Sequence, residues 1–487
     1  LINQKNNYLE LKYISILLLI LLIGSYVYKN HDDFPYYHLT YTLNLSENRF
    51  IIGTGIFSHG FRTFSSIFYY HSVLYAPLIK FYLFHIGPFF ILVFSNFIFL
   101  RNIIINSLNK KIDFIYFFSL FSLIFINIIF YRIGEHGTDR SAQILLLIIF
   151  VYFLDIVFFE KKKTKVDSKI SIILILIFLA SSMKAIYYMY LILVPIIFYK
   201  KKYYNKFFKI KNSFIIFLLS LSLFGNLLTN YLNTGCILYP AEKTCVFKND
   251  WSIPKKEVKK MSIHYEWWAK AGGGPGYRSD IKPEKYIKNF VWVENWIDKH
   301  FFNKVSDTLF GIIFICFLIY FCFRFYSKKI NNQKLSLSEY IYGVSLPLIF
   351  LLEWFLNHPA MRYGGYVLVA LPFFIYFSFK LSRIHVRKNM ILTLTSIFLI
   401  ITYSGYIGRN LLRINKETKV YSYDIIKSPF FYIEKINPIV IFKNENFKVF
   451  SPDKGKMCWA SKTPCSYFKE LSYKKLKNFN IVYRNDW

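Results

Sequence analysis

Apolar and polar stretches alternate along this chain on the scale of a lipid bilayer. Apolar runs at Tyr13–Tyr28, Gly87–Leu100, Phe114–Tyr131, Ile144–Phe159, Ile170–Tyr199, Ser213–Leu232, Phe310–Phe323, Tyr340–Leu356, Tyr366–Leu381 and Met390–Ile407 are bounded by Lys/Arg or by polar loops. A hydrocarbon core of about 30 Å takes about 20 helical residues to cross. Ile170–Tyr199 is too long for one crossing, reaching roughly 45 Å at about 1.5 Å per residue, and Ser181, Ser182 and Lys184 interrupt it. Split there, the pattern predicts an all-α polytopic membrane protein of about 11 transmembrane helices.

The basic residues orient these spans. Lys110–Lys111, Lys161–Lys163 with Lys165, Lys200–Lys202 with Lys206 and Lys209, Lys328–Lys329, and Arg383 with Arg387–Lys388 sit in short loops between alternate spans. The positive-inside rule makes those loops cytoplasmic, with the amino terminus inside and the segment after about Gly408 outside. The first apolar run lacks a small-residue cleavage site and is followed by His31-Asp32-Asp33, so it reads as a retained anchor. The expected organisation is a multi-pass transmembrane domain over 1–408 and an extracytoplasmic carboxyl-terminal α/β domain over 409–487. The membrane domain carries a first external loop over 29–86 and a large one over 233–305. Short strands are predicted at Phe447–Phe450 and Asn480–Tyr483, and short interfacial helices over Leu39–Leu45 and Phe50–Phe84.

Composition agrees: 55% of the 487 residues are hydrophobic and 21% aromatic, more apolar surface than one soluble core hides. The net charge of +33 is met by inside loops facing anionic headgroups. Lys, Asn, Ile, Phe and Tyr are inflated together, and no basic, aromatic-interleaved module marks a nucleic-acid binder. Cys236/Cys245 and Cys458/Cys465 fall in segments placed outside, which suits two disulfides as well as free thiols; Cys316 and Cys322 lie in a span. Neither external pair has the spacing or the neighbouring His of a zinc site.

Candidate chemistry gathers beside the spans. The acidic pair Asp32-Asp33, flanked by His31 and His38, follows the first span. It is either a solvated helix end or a source of general bases and cation ligands, Asp32 and Asp33 being the ligands if a divalent cation is used. The second external loop carries Gly134-Glu135-His136-Gly137-Thr138-Asp139 and Gln143, where Asp139 either caps the next helix or joins the site, and Glu135 and Gln143 face a cavity or the neighbouring loop even if it caps. A third segment runs from Glu353 through His358-Pro359-Ala360-Met361-Arg362-Tyr363 to Gly364-Gly365. In it Arg362 offers a two-pronged fork for a phosphate or for one of the carboxylates just named. Lys184, in the break of the longest run, either snorkels or adds a second cation. The large loop holds His264-Tyr265-Glu266-Trp267-Trp268 and the run Gly272-Gly273-Gly274-Pro275-Gly276, and reads equally as a lid or as a connector resting on headgroups.

Many spans, an acidic pair opening the first external loop, interfacial helices after it and an external carboxyl-terminal domain resemble the GT-C superfamily of membrane glycosyltransferases. Asp32-Asp33, Gly137-Thr138-Asp139, His358–Tyr363 and Cys458-Trp459…Pro464-Cys465 look like marks of an uncharacterised bacterial multi-pass family related to that plan. The resemblance implies a sugar carried on a polyprenyl phosphate, a glycan or lipid acceptor, and Asp32 or Asp33 as the base. The departing phosphate has to be stabilised by Arg, Lys, His or a metal, for which Arg362, His358 and Lys184 are the candidates; with Tyr363, Glu135, Asp139, Gln143 and His38 they make up the expected donor-phosphate and substrate-binding set. The resemblance also implies a cell inner (plasma) membrane location and work in the envelope. No WWDYG-like acceptor motif occurs in the tail. A polytopic transporter or flippase and a non-catalytic envelope assembly protein stand as alternatives, although no G-x-x-x-x-G-K-[ST] loop supports ATP-driven transport. Cysteine-accessibility labelling tests the topology. Positions beside Asp32, Asp139 and Arg362 should react with an impermeant reagent from outside, and positions beside Lys162 and Lys201 from inside only; the reverse at Asp32 would remove the external site.

Overall fold

Apolar runs of this length form helices because only an internally hydrogen-bonded backbone tolerates an apolar surround. Helix accordingly makes up 68% of the computed structural model, which describes residues 4–26, 31–109, 112–133, 138–159, 163–200, 210–274, 278–330, 341–421, 430–444 and 447–487. Among the described residues five helices are long and apolar enough to cross a membrane: Ile86–Leu108, Thr138–Phe158, Phe214–Thr234, Val293–Phe325 and Lys388–Val420. Thr138–Phe158, 83% buried over its apolar window, lies at the centre; Phe214–Thr234, 11% buried, lies at the edge. Around the centre pack the helices Ile86–Leu108, Phe114–Ile129, Lys163–Met183 and Gly365–Leu381. Of the sequence features singled out above, Gly134, Glu135, His136, Gly137, Lys110, Lys111, Lys161, Lys162, Lys201, Lys202, Lys206, Lys209, Pro275 and Gly276 lie outside the described residues.

Local chemistry sets the breaks. The Asp113 carboxylate accepts from the Tyr116 amide at 3.1 Å and so caps the Phe114–Ile129 helix. Lys184 is extended, at φ −160° and ψ 142°, between the Lys163–Met183 helix and the 3₁₀ turns Ala185–Ile192, which divides the longest apolar run where its polar residues fall. Gly364, at φ +96°, turns the chain into the Gly365–Leu381 helix.

Among the described residues seven strands complete the fold: β1 (Ile51–Ile52), β2 (Ser327–Ile330), β3 (Ile384–Val386), β4 (Pro438–Lys443), β5 (Lys448–Pro452), β6 (Ser472–Leu476) and β7 (Phe479–Tyr483). β2 pairs with β3, so two of the basic connections lie on one side of the bundle. β4 pairs with β5, while β7 is the middle of the sheet β1-β7-β6. The expected boundary at 408 moves: the helix beginning at Lys388 runs to Tyr421. Nor does the tail stand apart, because β1 comes from the loop that follows the first apolar helix and pairs in parallel with β7, Ile51 opposite Asn480 and Ile52 opposite Ile481. That loop therefore contributes a strand as well as the expected helices Leu39–Glu47 and Ser66–Val73. Both close cysteine pairs are bridged, Cys236 to Cys245 and Cys458 to Cys465.

Gly53 makes the junction possible. Its φ is +84°, its amide donates to the Leu232 carbonyl at 2.9 Å, and a Cβ there would lie 2.2 Å from the Val482 carbonyl oxygen and 2.9 Å from Trp251 Cβ. Gly53→Ala should lower stability by about 2 kcal/mol or more, from a left-handed backbone strain of about 1–2 kcal/mol plus a backbone clash that no rotamer relieves. Thermal unfolding in detergent measures it, and an unchanged midpoint would show that the junction carries no load.

Candidate functional site

The helix ends that face away from the β2–β3 side carry the site. Asp139 lies in the first turn of the Thr138–Leu154 helix, where backbone amides and the helix dipole favour a carboxylate. Arg362 lies in the turn between the helices Leu346–Asn357 and Gly365–Leu381. That turn is clamped from all sides. Trp354 Nε1 donates to the Ala360 carbonyl at 3.1 Å, Trp296 Nε1 to the Pro359 carbonyl at 2.5 Å, the Met361 amide to His300 Nε2 at 3.3 Å, and Gln143 Nε2 to the Arg362 carbonyl at 3.0 Å. Gly365 fits against Trp354, since a Cβ there would lie 2.5 Å from the indole.

So held, Arg362 joins two carboxylates. Its Nη2 donates to Asp33 at 2.9 Å and its Nε lies 3.4 Å from Asp139. Lys184 pairs with the other oxygen of Asp139 and places its ammonium 4.3 Å from the centre of the Tyr363 ring. Arg362 approaches the same ring at 5.3 Å. Two anions and two cations thus form one chain, Asp33–Arg362–Asp139–Lys184. Burial by itself would raise the Asp33 carboxyl, but the Arg362 guanidinium, together with the neighbouring His38 and His31, outweighs it and holds the group at about 2.

The chain of charges stands on the wall of a cavity of about 690 Å³, to which Asp33, Lys184, His358, Arg362 and Tyr363 all contribute. The other walls come from the loop after the first apolar helix, through Tyr36, Tyr37 and His59, and from the large loop, through Tyr239, His264, Tyr265 and Trp268. His264, Tyr265 and Trp268 share one face of the helix Lys255–Lys270, so part of the loop's aromatic stretch covers the cavity. The imidazoles carry no charge here at neutral pH. Burial pushes His59 down to about 3 and His358 down to about 4, where nearby lysines add to the effect.

Other expected site residues fall elsewhere. Asp32 is exposed and not among the cavity-lining residues. Asp139 stands behind the wall and Gln143 is buried against the Arg362 turn, so neither faces the substrate space as expected. His38 also lies behind the wall, packed against Tyr37 and Phe68 with ring centroids at 4.3 and 5.3 Å, and burial pushes it down to about 4. Glu135 is outside the described residues. Trp296, Trp354 and His300, which fix the Arg362 turn, were not legible as site residues; their only sequence signal is aromatic residues beside a polar break. Among the described residues no group of three or more His, Cys, Asp or Glu side chains is placed to hold a metal ion.

A family model described as Domain of unknown function (DUF8201) matches residues 1–369. The chain belongs to this family. The DUF8201 match takes in all four charged members of the chain, Asp33, Asp139, Lys184 and Arg362, while the paired tail strands lie after it. Comparison with curated proteins and with solved structures returns no match.

The Asp33 tie to Arg362 gives a test in pH. A carboxyl held below its unfolded value stabilises the fold above that value, near 3.8, and the contribution fades as pH falls through about 2. Asp33→Asn should therefore cost about 2 kcal/mol at pH 6, and the gap from wild type should close between about pH 4 and pH 2. Unfolding curves in detergent across that range check it; a gap that widens toward acid would deny the ion pair.

Proposed function

We infer that this DUF8201 protein is a membrane glycosyltransferase that takes sugar from a polyprenyl-phosphate carrier at the extracytoplasmic face, in cell-envelope glycan synthesis. The observation that carries the reading is the pair of cations, Arg362 and Lys184, set side by side on a cavity of about 690 Å³ where apolar helices end. A phosphate on a lipid tail needs this combination of fixed positive charge and an apolar surround. Among the described residues Arg362 Nη1 has no hydrogen-bond partner, so a phosphate can add to the guanidinium before Asp33 lets go of Nη2. Of the acidic pair proposed to be catalytic, Asp33 has the cavity position and the contact with the phosphate site.

The proposed architecture is GT-C-like with eleven spans, reached by adding the Gln4–Leu21 helix and the five shorter apolar helices Phe114–Ile129, Lys169–Met183, Ala185–Tyr199, Ile341–Asn357 and Gly365–Leu381 to the five long ones. Orientation is supported by one helix. Gly365–Leu381 starts at the Arg362 turn and ends at Arg383, putting the site and a basic connection about 25 Å apart at opposite ends. We place the basic end in the cytoplasm, the tail outside and the whole in the plasma membrane. Disulfides in the tail and in the large loop fit an oxidising compartment. Membrane lipids, the lipid-linked sugar and a glycan or lipid acceptor are the partners of this reading.

In the reaction an acceptor oxygen attacks the anomeric carbon and the phosphate leaves with the bonding electron pair. Arg362 and Lys184 meet the charge that grows on it with donors already fixed in place. Arg362→Lys keeps the charge and loses the fork, and should lower transfer by roughly tenfold or more. The assay is decay of lipid-linked radiolabelled hexose in membranes, together with surface glycan on cells carrying the variant. Unchanged glycan in Arg362→Lys and in the Asp32→Asn, Asp33→Asn double variant would leave transport or envelope assembly in place of catalysis.

A further inference from the structure

The acceptor proton is taken up most readily by a group that has no cation already on it, because a neighbouring cation lowers a carboxylate's basicity. Among the described residues three carboxylates line the cavity: Asp33, Glu266 and Glu353. Asp33 is committed to Arg362, and Glu266 accepts from Lys270 Nζ at 2.6 Å. Glu353 differs. No cation among the described residues pairs with it; its Oε1 accepts from Asn357 Nδ2 at 3.2 Å, and its Oε2 is buried with no hydrogen-bond partner. A buried carboxylate oxygen left unmatched is costly, and natural folds seldom keep one without a use.

Glu353 is also well placed along the chain. It sits on the last turn of the Leu346–Asn357 helix, one turn before Asn357 and just ahead of His358, and all three residues line the cavity. The same connection, four residues beyond His358, carries the Arg362 fork proposed for the donor phosphate. One short segment therefore presents an unpaired carboxylate and a fixed cation to the same space.

Resting on the glycosyltransferase reading, we propose that Glu353 is a further catalytic residue, the general base that receives the acceptor's hydroxyl proton, with Asn357 orienting its carboxylate. The acceptor oxygen bonds to the anomeric carbon, its proton passes to Glu353 Oε2, and the bond from the anomeric carbon to the phosphate oxygen breaks with its electron pair going to the phosphate. Protons and electrons balance without an added oxidant or reductant. The acceptor is thereby a hydroxyl compound that needs no cation to be recognised at this carboxylate. Asp33 stays in the donor half, where its release from Arg362 accompanies phosphate binding.

The test uses the full chain in membranes from producing cells. Transfer is read as decay of lipid-linked radiolabelled hexose, and donor-site occupancy as binding of farnesyl phosphate to the detergent-purified protein. Glu353→Gln should keep the thermal midpoint and bind farnesyl phosphate within about twofold of wild type, while transfer falls roughly a hundredfold or more. Glu353→Asp, which keeps the base and shortens its reach, should recover part of the rate. Near wild-type transfer by Glu353→Gln, or loss of farnesyl phosphate binding in step with transfer, would overturn the assignment. Should Glu353→Gln prove unfolded, Glu353→Asp decides alone: a rate no different from wild type with intact binding counts against a positioned base. Absence of transfer by wild type itself would overturn the glycosyltransferase reading and this proposal with it, a result distinct from a wild type that works and a variant that works equally well.

Discussion

The arrangement turns on one side chain, Arg362, held between Asp33 and Asp139. A guanidinium taken out of water is tolerated only with counter-charges in good geometry, and removing one partner leaves the others uncompensated. Lys184 on Asp139 completes the balance, so the four groups carry no net charge together. Much of the surrounding structure serves to keep that geometry. Two tryptophans, a histidine and a glutamine hold the backbone around Arg362, and the turn itself depends on Gly364 in the left-handed region and Gly365 against the Trp354 ring.

The Asp33 end is fixed by a different set of contacts, most of them to the tail. The Trp459 amide donates to the Pro35 carbonyl at 3.2 Å, and Thr40 Oγ1 donates to the Trp459 carbonyl at 3.1 Å. Both lie in or beside the loop that the Cys458–Cys465 bridge closes, and that loop is tied to β5 through Phe450 and Pro464. β1 and β7 fasten the loop that carries Asp33 a second time. The tail thus acts on the cavity through the position of the Asp33 segment, although none of its described residues lines the cavity wall.

Charge in the cavity is confined to a few places. Imidazoles that look like cations in the sequence are kept neutral by burial, as at His59 and His358. Among the described residues the carboxylates differ by partner: Asp33 and Glu266 are each matched to a cation, and Glu353 is not. Such a site can present one fixed anion-binding fork and one free base without the two neutralising each other, because the fork is already balanced by Asp33 and Asp139.

The sequence by itself determined what depends on near neighbours. Apolar run lengths marked the helices, Ser181, Ser182 and Lys184 marked the break in the longest run, and close cysteines marked the two bridges. These features follow from hydrogen bonding and burial within one segment, which periodicity and spacing report. It also drew attention to Asp33, Asp139, Lys184 and Arg362 as charges beside apolar runs, without saying that they touch. Only the tertiary structure decided that Asp33 and not its neighbour Asp32 faces Arg362, a residue 329 positions away. It alone joined β1 to the tail, put Asp139, Gln143 and His38 behind the wall, and left Glu353 without a cation. Partner choice among charges depends on the path of the chain between them, because adjacent residues on a turn point to different surroundings and the energy of a charge is set by what that path brings within a few ångströms.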